Sequence, residues 1–321
     1  MHKILITGGA GFIGYHLAKH LAEKQDDVTV CDNLFRGKMD KDFLSLIKSE
    51  NVKFVEANLT NQTDISNLKG DYDIVYHLAA INGTKYFYEI PHEVLRVNIL
   101  CLINILDWFV KTDNKKLVFT SSSETYAGTT GVPIPTPEDI PLSIDNVLNP
   151  RFSYAASKIV GELFCINYAR EYGFNVSIVR PHNIYGPRMG YEHVIPEFIQ
   201  RTLNRENPFK IYGGKQTRAF CFIDDFVKGI ELVGKSPKAN GEIFNLGNDK
   251  EEITMQDLSE QIFEKLDFQP QLEIDPAPKG SVMRRCPDVT KARKLLGYVP
   301  EANLEHGLEE TIKWYSKEKR K

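Results

Sequence analysis

A glycine-rich turn near the N-terminus constrains the fold of this chain more than any other feature. A short apolar run from Ile4 to Thr7 leads into it, and Gly8, Gly11 and Gly14 follow, where a helix-like segment begins. Glycines at this spacing let the backbone turn tightly, let a pyrophosphate approach it, and let the helix pack closely on the strand. The first N–H groups of that helix then face the phosphates. The pattern predicts a strand, turn and helix that bind a dinucleotide.

An acidic residue at the end of the next strand-like segment indicates which dinucleotide binds. Asp32 lies close to the expected ~20 residues beyond the turn, where a carboxylate accepts hydrogen bonds from the ribose hydroxyls of adenosine and repels a 2′-phosphate. We therefore expect NAD as the cofactor, although Arg36 nearby leaves NADP open.

The first half of the chain alternates short runs rich in Ile, Val and Leu with longer amphipathic segments. Such alternation is typical of a parallel sheet joined by crossover helices, so the sequence predicts a doubly wound α/β (Rossmann) fold. The predicted strands are Lys3 to Thr7, Val28 to Asp32, Val52 to Glu56, Ile74 to Leu78, Leu117 to Thr120 and Val176 to Arg180. The predicted helices of this half are Ile13 to Lys24, Leu95 to Val110 and Ala155 to Tyr172.

A length of 321 residues favours two unequal domains over one small core. We expect an NAD-binding domain over residues 1–180 and a smaller C-terminal lobe, mainly substrate-binding, over residues 181–321. The chain is expected to return to the main sheet within residues 215–247, through a strand at Glu242 to Leu246. Further helices are predicted at Asp225 to Gly234, Met255 to Leu266 and Leu304 to Ser316.

Composition and charge exclude several classes of protein. Hydrophobic residues make up 42% and charged residues 26%, which is typical of a folded globular chain and not of a disordered one. A formal charge of -3 creates no overall field toward nucleic acid or an anionic membrane. No apolar stretch approaches the ~20 residues of a membrane helix, and the N-terminus runs straight into a strand, so we expect a cytoplasmic protein.

The cysteines and histidines do not indicate a metal site. Five cysteines lie far apart, and none has the paired spacing of zinc or redox motifs. His16 and His20 stand four residues apart but lack the H-E-x-x-H pattern. We expect free thiols and no metal.

A tyrosine and a lysine stand four residues apart where the third predicted helix begins. Tyr154 and Lys158 therefore share one face of that helix. A free tyrosine has a pKa of about 10, and an adjacent ammonium with an oxidised nicotinamide nearby favours the phenolate. Each pKa unit corresponds to about 1.4 kcal/mol, so a shift of a few units would make Tyr154 a usable base near neutral pH. The spacing is common on ordinary helices and gains weight here by following a dinucleotide fingerprint.

A strand from Leu117 to Thr120 runs into a hydroxyl-rich loop that contains Ser122 and Ser123. In doubly wound sheets, ligands bind at the carboxyl edge where such a loop lies. The alternative is a serine-rich turn that only caps the next element.

These motifs, together with the segment Arg180 to Arg188 (RPHNIYGPR), resemble the extended short-chain dehydrogenase/reductases, specifically the nucleotide-sugar epimerases, dehydratases and decarboxylases. The resemblance covers essentially the whole chain, with four motifs in order. It implies that Tyr154 removes the proton of the C4 hydroxyl of a nucleotide-linked hexose while hydride passes from C4 to NAD. Ser122 would bind the reacting oxygen, and Lys158 would hold the nicotinamide ribose and lower the pKa of Tyr154.

The resemblance leaves the net reaction open. Ser123 and Glu124 lie where dehydratases carry acidic residues, and the pair is similar to GDP-mannose dehydratases and glucuronate decarboxylases. Glu124 would take a C5 proton, or would only order its loop. We expect net 4,6-dehydration or 4-epimerisation, with net C4 dehydrogenation or UDP-glucuronate-type decarboxylation as alternatives. A catalytically silent NAD-binding regulator is the alternative from another class.

The resemblance also implies two sets of binding residues and a homodimer formed through the Tyr154 helix and its neighbour. The cofactor set is Gly8, Gly11, Phe12, Ile13, Gly14, Asp32, Asn33, Asn58, Leu59, Leu78, Ala79, Ala80, Asn98, Tyr154 and Lys158. The substrate set is Asn82, Asn183, Arg188, Arg218, Arg284 and Arg285. Arginine forks suit a diphosphate, with Arg218 the favoured one and either Arg284 or Arg285 expected at the surface. The nucleotide base stays open.

Overall fold

The computed structural model describes residues 1–277 and 281–319. The strands, in chain order, are β1 (Lys3–Thr7), β2 (Asp27–Asp32), β3 (Val52–Glu56), β4 (Ile74–His77), β5 (Lys116–Thr120), β6 (Asn175–Pro181), β7 (Ile184–Tyr185), β8 (Phe209–Tyr212), β9 (Thr217–Ala219), β10 (Cys221–Phe222), β11 (Ile243–Leu246), β12 (Glu252–Thr254), β13 (Leu272–Asp275) and β14 (Arg284–Arg285).

The helices lie between and after these strands. They are α1 (Phe12–Glu23), α2 (Lys41–Leu46), α3 (Gln62–Ser66), α4 (Thr84–Glu89), α5 (Pro91–Phe109), α6 (Phe152–Tyr172), α7 (Val194–Leu203), α8 (Ile223–Lys235), α9 (Met255–Lys265), α10 (Thr290–Leu296) and α11 (Leu304–Lys319). Short 3-10 helices span Ser123–Tyr126 and Pro237–Ala239.

The predicted doubly wound parallel sheet is confirmed. Its seven strands follow the order β11-β6-β5-β4-β1-β2-β3, and each neighbouring pair is parallel. The chain runs outward from β1 to β3 and then crosses back to β4 on the other side of β1. This reversal opens a crevice at the carboxyl ends of β1 and β4, where ligands bind in such sheets.

Two predicted helices begin earlier than the sequence indicated. α5 starts at Pro91, four residues before the predicted Leu95, because a proline is well suited to the first turn of a helix. α6 starts at Phe152, three residues before the predicted Ala155. The earlier start places Tyr154 inside the first turn of α6, where the helical backbone orients its side chain.

Each face of the sheet has its own apolar core. Ile4 and Ile6 of β1 belong to one cluster with Leu17 of α1, whereas Leu5 belongs to another with Leu102 of α5. Successive side chains of a strand point to opposite faces, so one strand anchors both layers. The sheet is therefore held rigidly between two helical layers, and the loops at its carboxyl edge stand on a fixed base.

The chain beyond Pro181 contributes both to the main sheet and to a separate lobe. β11 pairs with β6, and α8 packs against α1 and against β4 and β5. α7 contacts α9 and α11, and three small sheets complete the lobe. Among the residues that the structure describes, no helix is long and apolar enough to cross a membrane.

One testable consequence concerns the packing of α8 on the sheet. A Cβ added at Gly234 would overlap the hydroxyl of Tyr76, whose ring is fully buried in β4. Alanine gains about 1 kcal/mol of helix propensity over glycine, but an intrusion into a close-packed core costs about 1–3 kcal/mol. We expect Gly234→Ala to lower the thermal midpoint by a few degrees, measured by circular dichroism. Combining it with Tyr76→Phe should recover part of the loss; an unchanged midpoint in the single variant would contradict this packing.

Candidate active site

A cavity of about 680 Å³ opens at the carboxyl edge of the sheet, between the sheet and the C-terminal lobe. Its walls come from the loops after β1, β2, β4, β5 and β6, from α6 and from β14. The predicted residues that line it are Gly8, Gly11, Phe12, Ile13, Gly14, Asp32, Asn33, Asn58, Leu59, Leu78, Ala79, Ala80, Asn82, Ser122, Ser123, Glu124, Tyr154, Lys158, Asn183, Arg188 and Arg285.

The glycine turn has the form that a dinucleotide requires. Gly8 has a φ of +70°, and a Cβ there would lie 2.8 Å from the backbone nitrogen of Ala79. A Cβ at Gly14 would overlap the carbonyl oxygen of Gly8. No side chain caps α1 at Gly11, so the first N–H groups of this helix lie beside the cavity without a side-chain acceptor. N–H groups at a helix N-terminus are suited to bind an anion such as a pyrophosphate.

Asp32 lines the same cavity. Its two carboxylate oxygens accept backbone N–H groups from Ala10 at 3.0 Å and Leu34 at 2.8 Å, which fixes its orientation. Burial raises the pKa of Asp32, and these N–H donors offset part of that effect. The Arg36 guanidinium is held by the Asn82 carbonyl and lies 3.5 Å from the carboxylate of Glu192. Because this guanidinium already has partners within the protein, it is less available for the 2′-phosphate of NADP, and the site favours NAD.

Tyr154 and Lys158 lie together at the floor of the cavity, both buried. The Tyr154 ring stacks on Phe87 with 4.9 Å between centroids. Lys158 Nζ donates to the carbonyl of Thr120 at 2.8 Å and lies 5.7 Å from the centre of the Tyr154 ring. The predicted pair is thus brought together, with Ser122 also hydrogen-bonded to Tyr154.

The residues of the chain by themselves do not lower the pKa of Tyr154, in contrast to the expected effect of Lys158. Burial raises the pKa of Tyr154 well above its ordinary value, and the hydrogen bond from Ser122 offsets only part of this. Burial also lowers the pKa of Lys158 to about 8. The Lys158 ammonium binds Thr120 rather than the phenol oxygen, so it does not counter the desolvation of Tyr154.

Glu124 is held as a carboxylate by two arginines. Arg285 donates to one of its oxygens at 2.8 Å and Arg151 to the other at 3.3 Å. Burial alone would raise the pKa of Glu124, but these two cations outweigh it and lower that pKa to about 2. Arg151 was missed by the sequence analysis, and its only sequence signal is its position three residues before Tyr154.

Three predicted binding residues do not line the cavity. Asn98 bonds both backbone groups of Ile81 and the Ser157 hydroxyl, so it fixes the cavity wall from behind. Arg284 is half-exposed and binds both oxygens of Glu252, and it is the surface member of the Arg284/Arg285 pair. Arg218 donates to the Thr217 carbonyl at 2.8 Å.

Arg218 nevertheless affects the electrostatics of the site. Burial, followed by repulsion from Arg285, lowers the pKa of Arg218 to about 9. With Arg151, three guanidinium groups therefore surround the single carboxylate of Glu124. This end of the cavity carries an excess of positive charge.

Two further predicted residues have contacts within the protein as well as a place in the cavity wall. Arg188 donates to Asp40 at 2.8 Å and to the Lys38 carbonyl at 3.1 Å, which ties the loop after β2 to the lobe. Asn183 has a φ of +45° and donates to the Ala219 carbonyl at 2.9 Å.

The sequence analysis also missed residues of the cavity wall that lie outside the motifs, among them His193, Met189 and Phe35. Burial and nearby Arg36 lower the pKa of His193 to about 4, so its imidazole is neutral near pH 7. No periodicity or spacing would have indicated these positions. Within the described part of the chain, no cluster of three His, Cys, Asp or Glu side chains could hold a metal.

The fold and the cavity define an enzyme of the dinucleotide-binding α/β class, and comparison with known proteins gives the family. The model of the NAD dependent epimerase/dehydratase family matches residues 4–247, and the chain belongs to this family. Its cofactor is NAD, as predicted.

Relatives with different net reactions resemble the chain over almost its full length. It is 36% identical to a UDP-N-acetyl-alpha-D-glucosaminuronate decarboxylase of Bacillus cytotoxicus, over 98% of this chain and 97% of that one. UDP-glucuronic acid 4-epimerase from Bacillus cereus, solved with UDP-glucuronic acid and NAD, has a TM-score of 0.86, 26% identity and coverage of 98% and 99%. A dTDP-glucose 4,6-dehydratase from Streptomyces venezuelae with NAD bound has a TM-score of 0.88, 27% identity and coverage of 99% and 98%.

The buried ammonium of Lys158 predicts a pH-dependent cost to stability. Between its folded pKa of about 8 and the ordinary lysine value of about 10.4, the unfolded chain binds more protons, so stability rises with pH. We expect Lys158→Met to raise the thermal midpoint near pH 7 and to raise it much less near pH 10. The exposed Lys313→Met is the control and should differ from the parent equally at both pH values. If Lys158→Met changed the thermal midpoint by the same amount at both pH values, the substitution would not be removing a buried charge.

Proposed function

We propose that this enzyme oxidises C4 of a nucleotide-linked hexuronate and that the net reaction is decarboxylation. The observation that carries the proposal is the Glu124 cluster, in which Arg285 lines the cavity and Glu124 is kept ionised by Arg285 and Arg151. An arginine in the wall suits a sugar carboxylate, because its planar fork matches carboxylate geometry. The 36% identity to a UDP-linked uronate decarboxylase supports the same substrate class.

In this proposal Tyr154 accepts the proton of the C4 hydroxyl, and Ser122 hydrogen-bonds the same oxygen. NAD, when bound, supplies the oxidant that takes the C4 hydrogen as hydride and returns it at the end of the cycle. Lys158 would hold the nicotinamide ribose, and the positive charge of an oxidised nicotinamide would favour the phenolate of Tyr154. The cofactor is held by the predicted cofactor residues that line the cavity, with Asp32 on the ribose and Gly11 to Ile13 on the phosphates.

Oxidation at C4 prepares a hexuronate for loss of its carboxyl group. The C4 ketone stands β to the C6 carboxylate, so the C5–C6 bond can break with its electron pair passing through C5 to the C4 oxygen. CO2 leaves, and C5 is then protonated. The hydroxyls of Ser122 and Tyr154 stabilise the negative charge on the C4 oxygen by hydrogen bonding. This route needs no separate base at C5.

Net 4,6-dehydration fits the site less well. That reaction needs a base to take the C5 proton, and a carboxylate with a pKa of about 2, bound by two arginines, is a weak base. A second candidate is 4-epimerisation of the same uronate without loss of CO2, because the neighbour that epimerises UDP-glucuronic acid superposes over nearly the whole chain.

For the rest of the substrate, we propose that Asn82, Asn183 and Arg285 contact it directly. Arg218 and Arg284 do not line the cavity, and Arg188 is almost fully buried against Asp40, so these three would act through the electrostatics and shape of the wall. We also propose the division into an NAD-binding part, residues 1–180, and a mainly substrate-binding part, residues 181–321, of which 278–280 and 320–321 lie outside the described residues.

The net reaction can be read from product analysis in deuterated water with UDP-glucuronate, UDP-N-acetylglucosaminuronate, UDP-glucose and dTDP-glucose. Decarboxylation predicts CO2 release from a uronate and one deuterium at C5 of a pentose product. A C4 epimer without label or CO2 would support the second candidate. A 4-keto-6-deoxy product would overturn both.

Replacing the proposed base gives an independent test. We expect Tyr154→Phe to lower kcat by about 10²–10⁴-fold, the usual contribution of general base catalysis, without loss of NAD binding. Tyr212→Phe, at an exposed tyrosine outside the cavity, is the matched control and should behave like the parent. Full turnover by Tyr154→Phe would rule out this mechanism.

We also propose that two copies of the chain pair through α5 and α6. Leu163 of α6 is 57% exposed, and Ile99, Ile103 and Ile159 on the same two helices are only half-buried. Apolar side chains that stay partly exposed on neighbouring helices can mark a protein interface.

The dimer has a simple test in solution. Light scattering should give twice the chain mass of 36.6 kDa for the parent. Leu163→Arg should shift the measured mass toward that of the monomer, because the substitution buries a charge at the interface. Leu44→Arg on α2 should leave the mass unchanged. A parent of single-chain mass, or a Leu163→Arg protein that stays dimeric, would contradict the proposed interface.

A further inference from the structure

A buried ion pair lies behind the cavity and takes no part in lining it. Arg180 of β6 donates to both oxygens of Glu162 on α6, at 2.8 and 2.6 Å, and their side chains are only 3% and 5% exposed. Replacing such a pair by apolar residues is often neutral or stabilising, so its presence is weak evidence for a role in stability. The other hydrogen bonds of this ion pair lead to the segment that carries Ser122 and Glu124.

The ion pair holds both ends of the segment that carries Ser122 and Glu124. At one end, the Ser121 hydroxyl donates to Glu162 at 2.5 Å. At the other end, Arg180 donates to the Tyr126 hydroxyl at 2.6 Å. Ser122, Ser123 and Glu124 lie between these two anchors, in the 3-10 helix and its cap.

The same network reaches the segment that bears Arg285. The Tyr126 hydroxyl donates to Asn245 at 2.9 Å, and the amide of Asn245 donates to the Thr136 carbonyl at 2.9 Å and to the Asp288 carbonyl at 3.3 Å. Asp288 follows Arg285 by three residues. A chain of hydrogen bonds therefore connects the helix of Tyr154 to the two segments that carry Glu124 and Arg285.

We propose that Arg180 and Glu162 are positioning residues, which clamp residues 121–126 at both ends so that Ser122 and Glu124 are held at fixed positions relative to Tyr154. The inference rests on the proposed function, because it takes Ser122 and Tyr154 to be the groups that act on C4. It assigns a task to four buried side chains that have no contact with a reacting atom: Ser121 through its hydroxyl, Tyr126, Glu162 and Arg180. A displacement of about 1 Å in such a site can reduce rate by about 10²-fold.

Loosening the clamp should change the pH dependence as well as the rate. The Ser122 hydrogen bond and the Arg36 charge lower the pKa of Tyr154, whereas burial and Glu124 raise it, and Lys158 lies below the ring. Losing the Ser122 bond would raise that pKa further. Because the phenolate is the active form, the acid limb of kcat would then move to higher pH. Simple loss of folded protein would lower kcat equally at every pH.

The test uses two conservative variants in the full chain with NAD. Tyr126→Phe and Ser121→Ala each remove one anchor and leave the Arg180–Glu162 pair in place. We expect each to lower kcat for the uronate substrate about tenfold, to leave KM within about twofold, and to move the acid limb of kcat to higher pH. Hydrogen exchange of the amides of residues 121–126, read by mass spectrometry, should accelerate about tenfold in both, without any substrate.

Buried positions away from the cavity supply matched controls. Tyr298→Phe loses a buried hydroxyl bonded to the Gly247 carbonyl, and Ser177→Ala loses one bonded to the Ala239 carbonyl. Neither should change kcat, its pH profile or exchange in residues 121–126. The clamp is refuted if Tyr126→Phe and Ser121→Ala match these controls in exchange, or lower kcat equally at all pH values, while Tyr154→Phe is inactive. If Tyr154→Phe retains full turnover, the proposed function fails, and the exchange measurement still decides whether the clamp exists.

Discussion

The close approach of two backbone segments, at the ends of β1 and β4, sets the geometry on which the rest of the site depends. Gly8 can lie against Ala79 only because it has no side chain and a positive φ. That contact forms the inner end of the crevice that opens where the strand order reverses. It also brings the start of α1 to the same edge of the sheet as the loops after β4 and β5. The cofactor site and the Tyr154 site are therefore parts of one cavity.

The site is arranged at an energetic cost that its surroundings offset. Lys158, Glu124 and Tyr154 are all largely removed from water. Burial lowers the pKa of Lys158 and raises that of Tyr154, whereas two arginines lower the pKa of Glu124 against the effect of burial. Glu124 is stabilised by arginines from two distant parts of the chain, while Lys158 has the Thr120 carbonyl as acceptor. Groups kept in this state respond strongly to a ligand that brings charge, as expected where a nicotinamide and a sugar anion bind.

The arrangement also explains how related proteins can share a first step and differ in outcome. In the proposed mechanism, Tyr154, Ser122 and a bound NAD would together carry out the oxidation at C4, and the reaction that follows would depend on what stands near C5 and C6. Here the cavity wall carries the Arg285 guanidinium next to the Glu124 carboxylate, which two arginines bind. The guanidinium is suited to an anionic substituent at C6 of the substrate, and the carboxylate is poorly suited to removing a proton from C5. The proposed decarboxylation thus depends on a few side chains in the loops of the cavity wall.

Local patterns predicted much of this molecule. The sheet, its strand bounds within one or two residues, the glycine turn with Asp32, and the pairing of Tyr154 with Lys158 follow from features carried by short stretches of sequence. The other predicted residues of the cavity wall came from the family resemblance. The local features act through the backbone and through neighbours a few residues away, so they can be recognised without knowing what lies across the fold.

What tertiary structure alone decided depends on partners far apart in the chain. Arg151 and Arg285 meet at Glu124, Arg284 turns out to the surface while its neighbour turns in, and Arg180 reaches Tyr126, Glu138 and Glu162. Such contacts, and the desolvation that raises the pKa of Tyr154, arise only when the sheet, α6 and the C-terminal lobe pack together. The sequence by itself indicated the dinucleotide turn and the pairing of Tyr154 with Lys158; packing determined the charges that surround this phenol, because burial and distant ion pairs leave no trace in local spacing.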